Sequence, residues 1–183
     1  SFILFDLQST ANWYSFVTSS PTHYSWMNKY VSFSMQNLTS ASTASELINN
    51  YFTSTAYANG YVWYTTYNYN QGTIDLGRAL LDNVNKTIGN FETVKENFDT
   101  ADIFCMTYNP IDDKLYYVGG DYKIKSFDPA NPNSVTVIGA YTQDINSISI
   151  NRLGDAYCVA QNDSLYRMNL TNASVTLVGY LPD

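Results

Sequence analysis

The chain has 183 residues and a net charge of −7, with nine basic residues against sixteen acidic ones. Because 45 % of its residues are apolar, it is too hydrophobic for a disordered chain and long enough to bury a core. No apolar run approaches the roughly 20 residues of a membrane-spanning helix, and the few scattered basic residues argue against nucleic-acid binding.

Charged residues make up only 14 % of the chain, and Tyr alone contributes 17 residues. Much of the remaining polarity comes from Ser, Thr and Asn. This composition favours pleated sheet over helix. Neutral polar surfaces of this kind are common on secreted and cell-surface proteins, so we expect an extracellular or cell-surface location.

The first half of the chain predicts two units of short strands. In residues 1–51 the strand candidates are Trp13–Val17 and Tyr30–Met35, followed by a short helix over 40–50. Residues 52–101 form a second unit with an innermost strand at Phe52–Tyr57 and further strands near residues 61–67, 73–76 and 86–91. We expect either that residues 77–85 form a helical turn or that residues 92–101 form a linker.

The second half of the chain carries an internal repeat. Asp102–Asn109 matches Asp144–Asn151 at an offset of 42, and three later matches follow at offsets of 40 or 41, the last of which aligns Gly139 with Gly179. Each unit, 102–143 and 144–183, contains four short strands separated by turns rich in Gly, Pro, Asn and Asp. A period near 40 with four strands predicts an all-β chain of stacked blades.

The segment MTYNPIDDKLYYVGGDYKIKSFDPANPNSVTVIG resembles repeats of the β-propeller superfamily, of the secreted or surface type. It lacks the Gly-His and Trp-Asp pair of WD40 blades. The resemblance is clearest over residues 102–183 and implies propeller-like blades of about 40–50 residues, with up to four in this chain as a single repeat domain. Four blades form either a small ring or an arc that another copy, or the remainder of a longer polypeptide, completes.

The chain has two cysteines and five Asn-x-Ser/Thr sequons. Cys105 and Cys158 lie in apolar strand-like contexts, which predicts either two buried thiols or one disulfide. With one His in the chain, Cys and His cannot build a structural zinc site. Asn-x-Ser/Thr sequons make candidate glycan acceptors of five residues, namely Asn37, Asn85, Asn162, Asn169 and Asn172.

No catalytic motif is present in the sequence. His23 stands alone in a polar stretch, and the acidic pair Asp112-Asp113 with Asp121 lacks the spacing of a calcium loop. We therefore expect no metal, no cofactor and no enzymatic activity. A carboxylate pair among the Asp residues of the turns keeps one alternative open, a propeller-type glycan lyase or hydrolase that uses Asp and Tyr in a central channel.

Aromatic residues flanked by Asn, Ser and Thr are the candidate binding residues, because such rings stack on sugars or anchor protein interfaces. The alternative is that they fill space between blades. The candidates are Trp13, Trp26, Trp63, Tyr64, Tyr67 and Tyr69. The sequence thus predicts a non-catalytic interaction or structural module that binds a glycan or protein partner, or that self-associates with copies of itself into a surface assembly.

Overall fold

The computed structural model describes the backbone of residues 2–5, 12–17, 29–34, 37–45, 52–82 and 84–181. Before residue 52 it describes the side chains of Tyr30, Ser42, Ala44 and Ser45 only. The described residues form strands and turns and contain no helix. Four-stranded antiparallel sheets account for all the strands, and each sheet is a meander whose strands pair in chain order.

The strands are numbered β1 to β16 along the chain. The first sheet contains β1 (Phe2–Phe5), β2 (Asn12–Val17), β3 (Lys29–Ser34) and β4 (Asn37–Thr43). The second contains β5 (Phe52–Ala58), β6 (Tyr61–Asn68), β7 (Thr73–Asp82) and β8 (Thr87–Asp99). The third contains β9 (Ile103–Asn109), β10 (Lys114–Gly119), β11 (Lys123–Asp128) and β12 (Asn131–Ala140). The fourth contains β13 (Ile145–Ile150), β14 (Ala156–Ala160), β15 (Ser164–Met168) and β16 (Val175–Tyr180).

The sheets stack face to face in chain order, and the first strand of each sheet contacts the first strand of the next: β1 with β5, β5 with β9, and β9 with β13. A separate apolar core fills each interface. The first and second sheets enclose Tyr30, Phe52 and Val62. The second and third enclose Trp63, Leu76, Ile103, Leu115 and Phe127. The third and fourth enclose Tyr116, Val118, Ile124, Ile148 and Cys158.

The turns have the residues that their backbone conformations require. The β5–β6 turn is Asn59-Gly60, and both residues have positive φ, 53° and 84°, as a tight type I′ hairpin turn demands. In the β9–β10 turn, Asp113 has φ 56°, and Gly154 in the β13–β14 turn has φ 82°. Short polar residues and glycine tolerate this left-handed region best, so these turns fix the register of the hairpins.

The third and fourth sheets are built alike. The carbonyl oxygen of Asp102 accepts a hydrogen bond from the Gly120 amide at 2.9 Å, and Asp144 accepts one from Gln161 at 3.0 Å. These bonds tie the start of the first strand to the turn between the second and third strands. Gly139 pairs with Ile124 in the third sheet, and Gly179 pairs with Leu165 in the fourth. A bulge follows this pair in both sheets.

The helical turn expected at 77–85 is wrong, because Thr73–Asp82 is the strand β7. The expected linker at 92–101 is also wrong over most of its length, since β8 extends to Asp99. Ala79 and Leu81 are buried against the core shared with the first sheet, and this packing outweighs the helical preference of the local sequence. The helix expected at 40–50 begins within β4, and residues 46–50 lie outside the described part.

A buried ion cluster lies between the second and third sheets. Lys125 Nζ contacts Asp99 Oδ2 at 2.7 Å and Asp121 Oδ2 at 2.8 Å, and the side chains of Lys125 and Asp99 are only 10 % and 9 % exposed. The Tyr117 hydroxyl also donates to Asp99 at 2.9 Å. Burial opposes ionisation of Asp99, but hydrogen bonds from Lys125, the Ala101 amide and Tyr117 outweigh it and hold the pKa below its ordinary value.

The glycine pair Gly139 and Gly179 gives a matched test of the packing. A Cβ on Gly139 would lie 2.8 Å from the Asn172 carbonyl oxygen and 2.9 Å from Ala173 Cβ, whereas a Cβ on Gly179 would meet nothing within 4 Å. Gly139→Ala should therefore lower the free energy of unfolding by about 1–3 kcal/mol, a typical cost of overpacking. Gly179→Ala should leave it nearly unchanged. Urea unfolding of both variants measures the difference, and equal losses would contradict the packing of the third sheet on the fourth.

The Asp99 cluster predicts a pH-dependent stability. Asp99→Asn leaves Lys125 with Asp121 alone, so the free energy of unfolding at pH 7 should fall by about 3 kcal/mol, as when one partner of a buried ion pair is removed. Because the folded pKa of Asp99 is lowered, its contribution is complete above the ordinary carboxyl pKa of about 4 and disappears as the pH falls through the folded pKa.

Urea unfolding at pH 7 and at pH 3 tests this expectation, and the difference between the two proteins should narrow at the lower pH. The control is Glu92→Gln, which breaks the Arg78–Glu92 ion pair, whose side chains are 33 % and 54 % exposed. Exposed pairs contribute about 1 kcal/mol or less, so the control should change little at either pH. A loss in Asp99→Asn no larger than that of the control would show that the cluster is not stabilising.

Candidate functional site

A polar cleft of about 480 Å³ lies at one end of the fourth sheet. Its walls come from three chain segments. The Asp144–Gln161 backbone hydrogen bond ties the β14–β15 turn to the start of β13 and so brings two of these segments together. The residues that line it are Gln143, Asp144, Ala160, Gln161, Asn162 and Tyr166. The cleft therefore combines one carboxylate, three carboxamides and one phenol ring.

Most of these polar groups have no partner of their own within the described part of the chain. The side chains of Asp144, Gln161 and Tyr166 make no hydrogen bond there. Gln143 Oε1 accepts from the Thr142 amide at 3.2 Å, and Asn162 Oδ1 accepts from the Ser164 amide at 3.3 Å, so both keep their NH₂ donors. The cleft thus offers donors, acceptors and an aromatic ring to a ligand.

The corresponding place in the third sheet is occupied by charges. Tyr166 aligns with Lys125, since Lys125 pairs with Tyr117 as Tyr166 pairs with Cys158. Asn162 aligns with Asp121 at the same offset of 41. In the third sheet this pair joins the buried ion cluster, whereas in the fourth sheet neutral side chains take its place and the space stays open.

Tyrosine–aspartate pairs form at the turns of the third sheet. The Tyr116 hydroxyl donates to Asp112 Oδ2 at 2.6 Å, and the Tyr108 hydroxyl donates to Asp113. Burial, followed by the hydrogen bond to Asp113, raises the pKa of Tyr108 to about 12. Burial and Asp112 likewise raise the pKa of Tyr116. These phenols therefore stay protonated at neutral pH and act as hydrogen-bond donors rather than bases.

Two of the candidate binding aromatics, Trp63 and Tyr64, are buried. Their exposed fractions are 1 % and 4 %, which favours the alternative that they fill space between blades, and a role in binding stays a prediction. Trp63 packs edge-on against Phe127 with ring centroids 5.9 Å apart, and Tyr64 stacks on Phe52 at 4.5 Å. The reason is that β6 is an inner strand of a sheet covered on both faces, so adjacent residues enter different cores.

The other aromatic candidates differ in position. Tyr69, in the β6–β7 turn, is 74 % exposed, and its ring lies 4.8 Å from that of the half-buried Tyr67 in a T-shaped arrangement. This pair forms a surface aromatic patch at an end of the second sheet, and its role in binding stays a prediction. Trp13 is a residue of β2 whose side chain lies outside the described part, as does all of Trp26.

Four of the sequon asparagines are exposed: Asn85, Asn162, Asn169 and Asn172. Asn85 donates through Nδ2 to Asp82 at 2.7 Å, and a glycan at this nitrogen would compete with that bond. Asn37 belongs to β4, and its side chain is outside the described part. Glycosylation at all five positions stays a prediction.

Cys105 and Cys158 are separate thiols, so the disulfide alternative is not formed. Cys105 Sγ lies 3.4 Å from the carbonyl oxygen of Ile148 across the sheet interface, and Cys158 Sγ lies 4.0 Å from Met168 Sδ. Burial, with a smaller effect of Cys105, raises the pKa of Cys158 to about 12. Both cysteines act as core residues with little thiolate at neutral pH.

The described ranges hold no group of three or more His, Cys, Asp or Glu residues placed to bind a metal ion. Asp112 and Asp113 accept hydrogen bonds from tyrosines, and Asp121 pairs with Lys125. In the same ranges no helix is long and apolar enough to cross a membrane.

Sequence reasoning singled out two of the cleft residues for other reasons, Asp144 as a repeat position and Asn162 as a sequon. It missed Gln143, Gln161 and Tyr166. The repeat alignment was the signal that could have found them, because it brings the turn between the second and third strands of each unit to the start of the first strand.

No protein-family model matches the chain, and no curated protein matches its sequence. Among solved structures, the fold is similar to that of apo AztD from Citrobacter koseri, with a TM-score of 0.50 and 8 % identity. The match covers 98 % of this chain and 46 % of that one, so the chain spans about half the length of AztD. At this identity the likeness concerns the fold alone. Together with the four-stranded antiparallel sheets, it supports a propeller-like all-β fold, as the sequence predicts.

Proposed function

We propose that the chain is a non-catalytic interaction module of the extracellular space or cell surface that binds a glycan in the fourth-sheet cleft. The observation that carries this proposal is the set of uncommitted polar groups around the ring of Tyr166. A neutral sugar presents hydroxyl groups that both donate and accept, and it presents a flat C–H face that an aromatic ring can contact.

Each cleft residue has a role in this proposal. Asp144 accepts hydrogen bonds from two adjacent sugar hydroxyls, and the carboxamides of Gln143, Gln161 and Asn162 donate to hydroxyl oxygens. Tyr166 packs on the sugar ring. The volume of about 480 Å³ lies within the range of small-molecule sites, so a short oligosaccharide is the expected size of ligand.

The chemistry of the site favours binding over cleavage. Glycoside hydrolases commonly use two carboxyl groups on either side of the bond that breaks, and the lining of the cleft has one, Asp144. A lyase that removes a proton with tyrosine needs a phenol of lowered pKa. The two tyrosines that contact carboxylates at the turns of the third sheet, Tyr108 and Tyr116, lie outside the cleft and have raised pKa values. The enzyme alternative, a propeller-type lyase or hydrolase, therefore has less support.

Glycan-array binding followed by calorimetry with the best oligosaccharide tests the proposal. Tyr166→Ala and Asp144→Asn should each weaken binding about tenfold, which corresponds to about 1.4 kcal/mol. Neither change touches the apolar core between the sheets, so urea unfolding should show that both variants stay folded.

The matched control is Tyr69→Ala, which removes an exposed tyrosine of the second sheet and should leave the affinity unchanged. Loss of binding in Tyr69→Ala alone would move the site to the β6–β7 turn and contradict the cleft. An array without any bound glycan would also contradict it. Cleavage products that depend on Asp144 would establish the hydrolase or lyase instead.

A further inference from the structure

The fourth sheet has an outer face, turned away from the third sheet, on which apolar and polar residues lie side by side. Strand register places Tyr157 and Val159 of β14 in line with Arg167 and Leu165 of β15. Val178 in β16 and Leu181 just after it complete the face and are 55 % and 41 % exposed. The outer face is thus defined by its apolar residues Tyr157, Val159, Leu165, Val178 and Leu181, which share it with Arg167 and with the polar residues Ser147, Ser149 and Thr176.

Each of these residues has a counterpart in the third sheet at the same register position. Tyr157, Val159 and Leu165 correspond to Tyr116, Val118 and Ile124. Val159 pairs with Leu165 as Val118 pairs with Ile124, while Tyr157 pairs with Arg167 where Tyr116 pairs with Ser126. Val178 corresponds to Ile138, and each lies at the bulge of its fourth strand. Leu181 corresponds to Tyr141, since the Leu181 amide donates to the Asp163 carbonyl oxygen as the Tyr141 amide donates to that of Tyr122.

The counterparts in the third sheet form its interface with the fourth sheet. Tyr116, Val118, Ile124 and Tyr141 are between 0 % and 5 % exposed, and they belong to one core with Ile148 and Cys158 of the fourth sheet. The outer face of the fourth sheet therefore keeps the apolar residues of a sheet-to-sheet interface while the described chain places no further sheet on it.

The two matched glycines show the same difference. Where a Cβ on Gly139 would strike Asn172 and Ala173 of the next sheet, a Cβ on Gly179 would enter open space. Ile111 of the β9–β10 turn similarly lies 3.0 Å from the Cβ position of Gly154 in the next sheet, and its counterpart Leu153 is 80 % exposed. The surface thus has the shape and composition to receive another sheet of the same design.

The first sheet has positions suited to the other side of such a contact. In the first sheet, strand alternation places the positions of Val31 and Phe33 on the side opposite the buried Tyr30, and the register sets the position of Trp13 beside that of Phe33. All three are apolar residues. The first sheet thus presents apolar positions on the side away from the second sheet, as the fourth sheet does on the side away from the third.

The length of the similar fold agrees with two copies. This chain covers 46 % of the AztD chain at a TM-score of 0.50, so two copies match roughly the whole length of that fold. We propose that two chains associate head to tail, with the outer face of the fourth sheet of each packed on the first sheet of the other, to close one ring. The proposal is independent of glycan binding in the cleft.

Sedimentation equilibrium of the whole chain from 1 to 100 µM tests the association. The chain mass is 20.6 kDa, and the expected result is a species of twice that mass. The double variant Val159→Asp and Leu165→Asp places two carboxylates on the outer face, so it should be monomeric over the whole range. Circular dichroism and urea unfolding at 1 µM establish that the double variant is folded.

The control is Val84→Asp, which introduces a charge at an 88 % exposed apolar residue of the β7–β8 turn and should leave the dimer intact. A monomeric unchanged chain at 100 µM would overturn the proposal, as would a folded double variant that stays dimeric. A series of larger, concentration-dependent multiples would overturn ring closure by two chains, because a head-to-tail contact that does not close forms open filaments. If the double variant does not fold, Leu181→Asp replaces it, because this residue is already 41 % exposed. We expect the same loss of the dimer from this single variant.

Discussion

A four-stranded sheet has two faces, and an apolar residue on either face needs cover from another layer. This constraint governs the whole chain, because neighbouring residues of one inner strand enter two different cores. In β6, Trp63 packs toward the third sheet and Tyr64 toward the first. No sheet buries both of its faces alone, so the stability of each sheet comes from its packing on its neighbours. The result is a stack of sheets in which the first and last sheets each have one face that no described sheet covers.

Polar groups complete the same interfaces in a different way at each position. Between the second and third sheets, Lys125 and two carboxylates neutralise one another in a nearly buried cluster. Burying these charges is favourable only because each has a partner and further hydrogen bonds. At the aligned place in the fourth sheet, Tyr166 and Asn162 need no such partners. The exchange of a charged pair for neutral side chains thus turns a filled interface into an open cleft on an otherwise repeated backbone.

The sequence predicts the fold better than the site. Strand period, turn residues and the matched units of the second half all follow from local sequence, which is why the all-β class and the four-stranded units are confirmed. Residues 77–85 show the limit, because Arg-Ala-Leu-Leu has helical preference, whereas pairing with β6 and β8 makes it a strand. Trp63 and Tyr64 show a second limit. Their neutral polar neighbours in sequence suggest exposure, but adjacent sheets cover both faces of β6 and bury the two side chains. The cleft forms where particular turns lie close together in the fold, and composition does not predict which turns are neighbours.

The repeat itself provides the strongest argument about the surface. A residue type kept at an aligned position can reflect folding within the sheet or contact beyond it. Tyr116 and Tyr157 occupy the same register position, but the first is 5 % exposed and the second is only partly covered. Packing within the fourth sheet does not require Tyr157, Val159 and Leu165 together on one face, since a solvated face of an antiparallel sheet is ordinarily polar. At Lys125 and Tyr166 the two sheets differ, and there a buried ion cluster is replaced by an open cleft. Where they agree, at Tyr157, Val159 and Leu165, the agreement is the observation on which the proposed contact with another sheet rests.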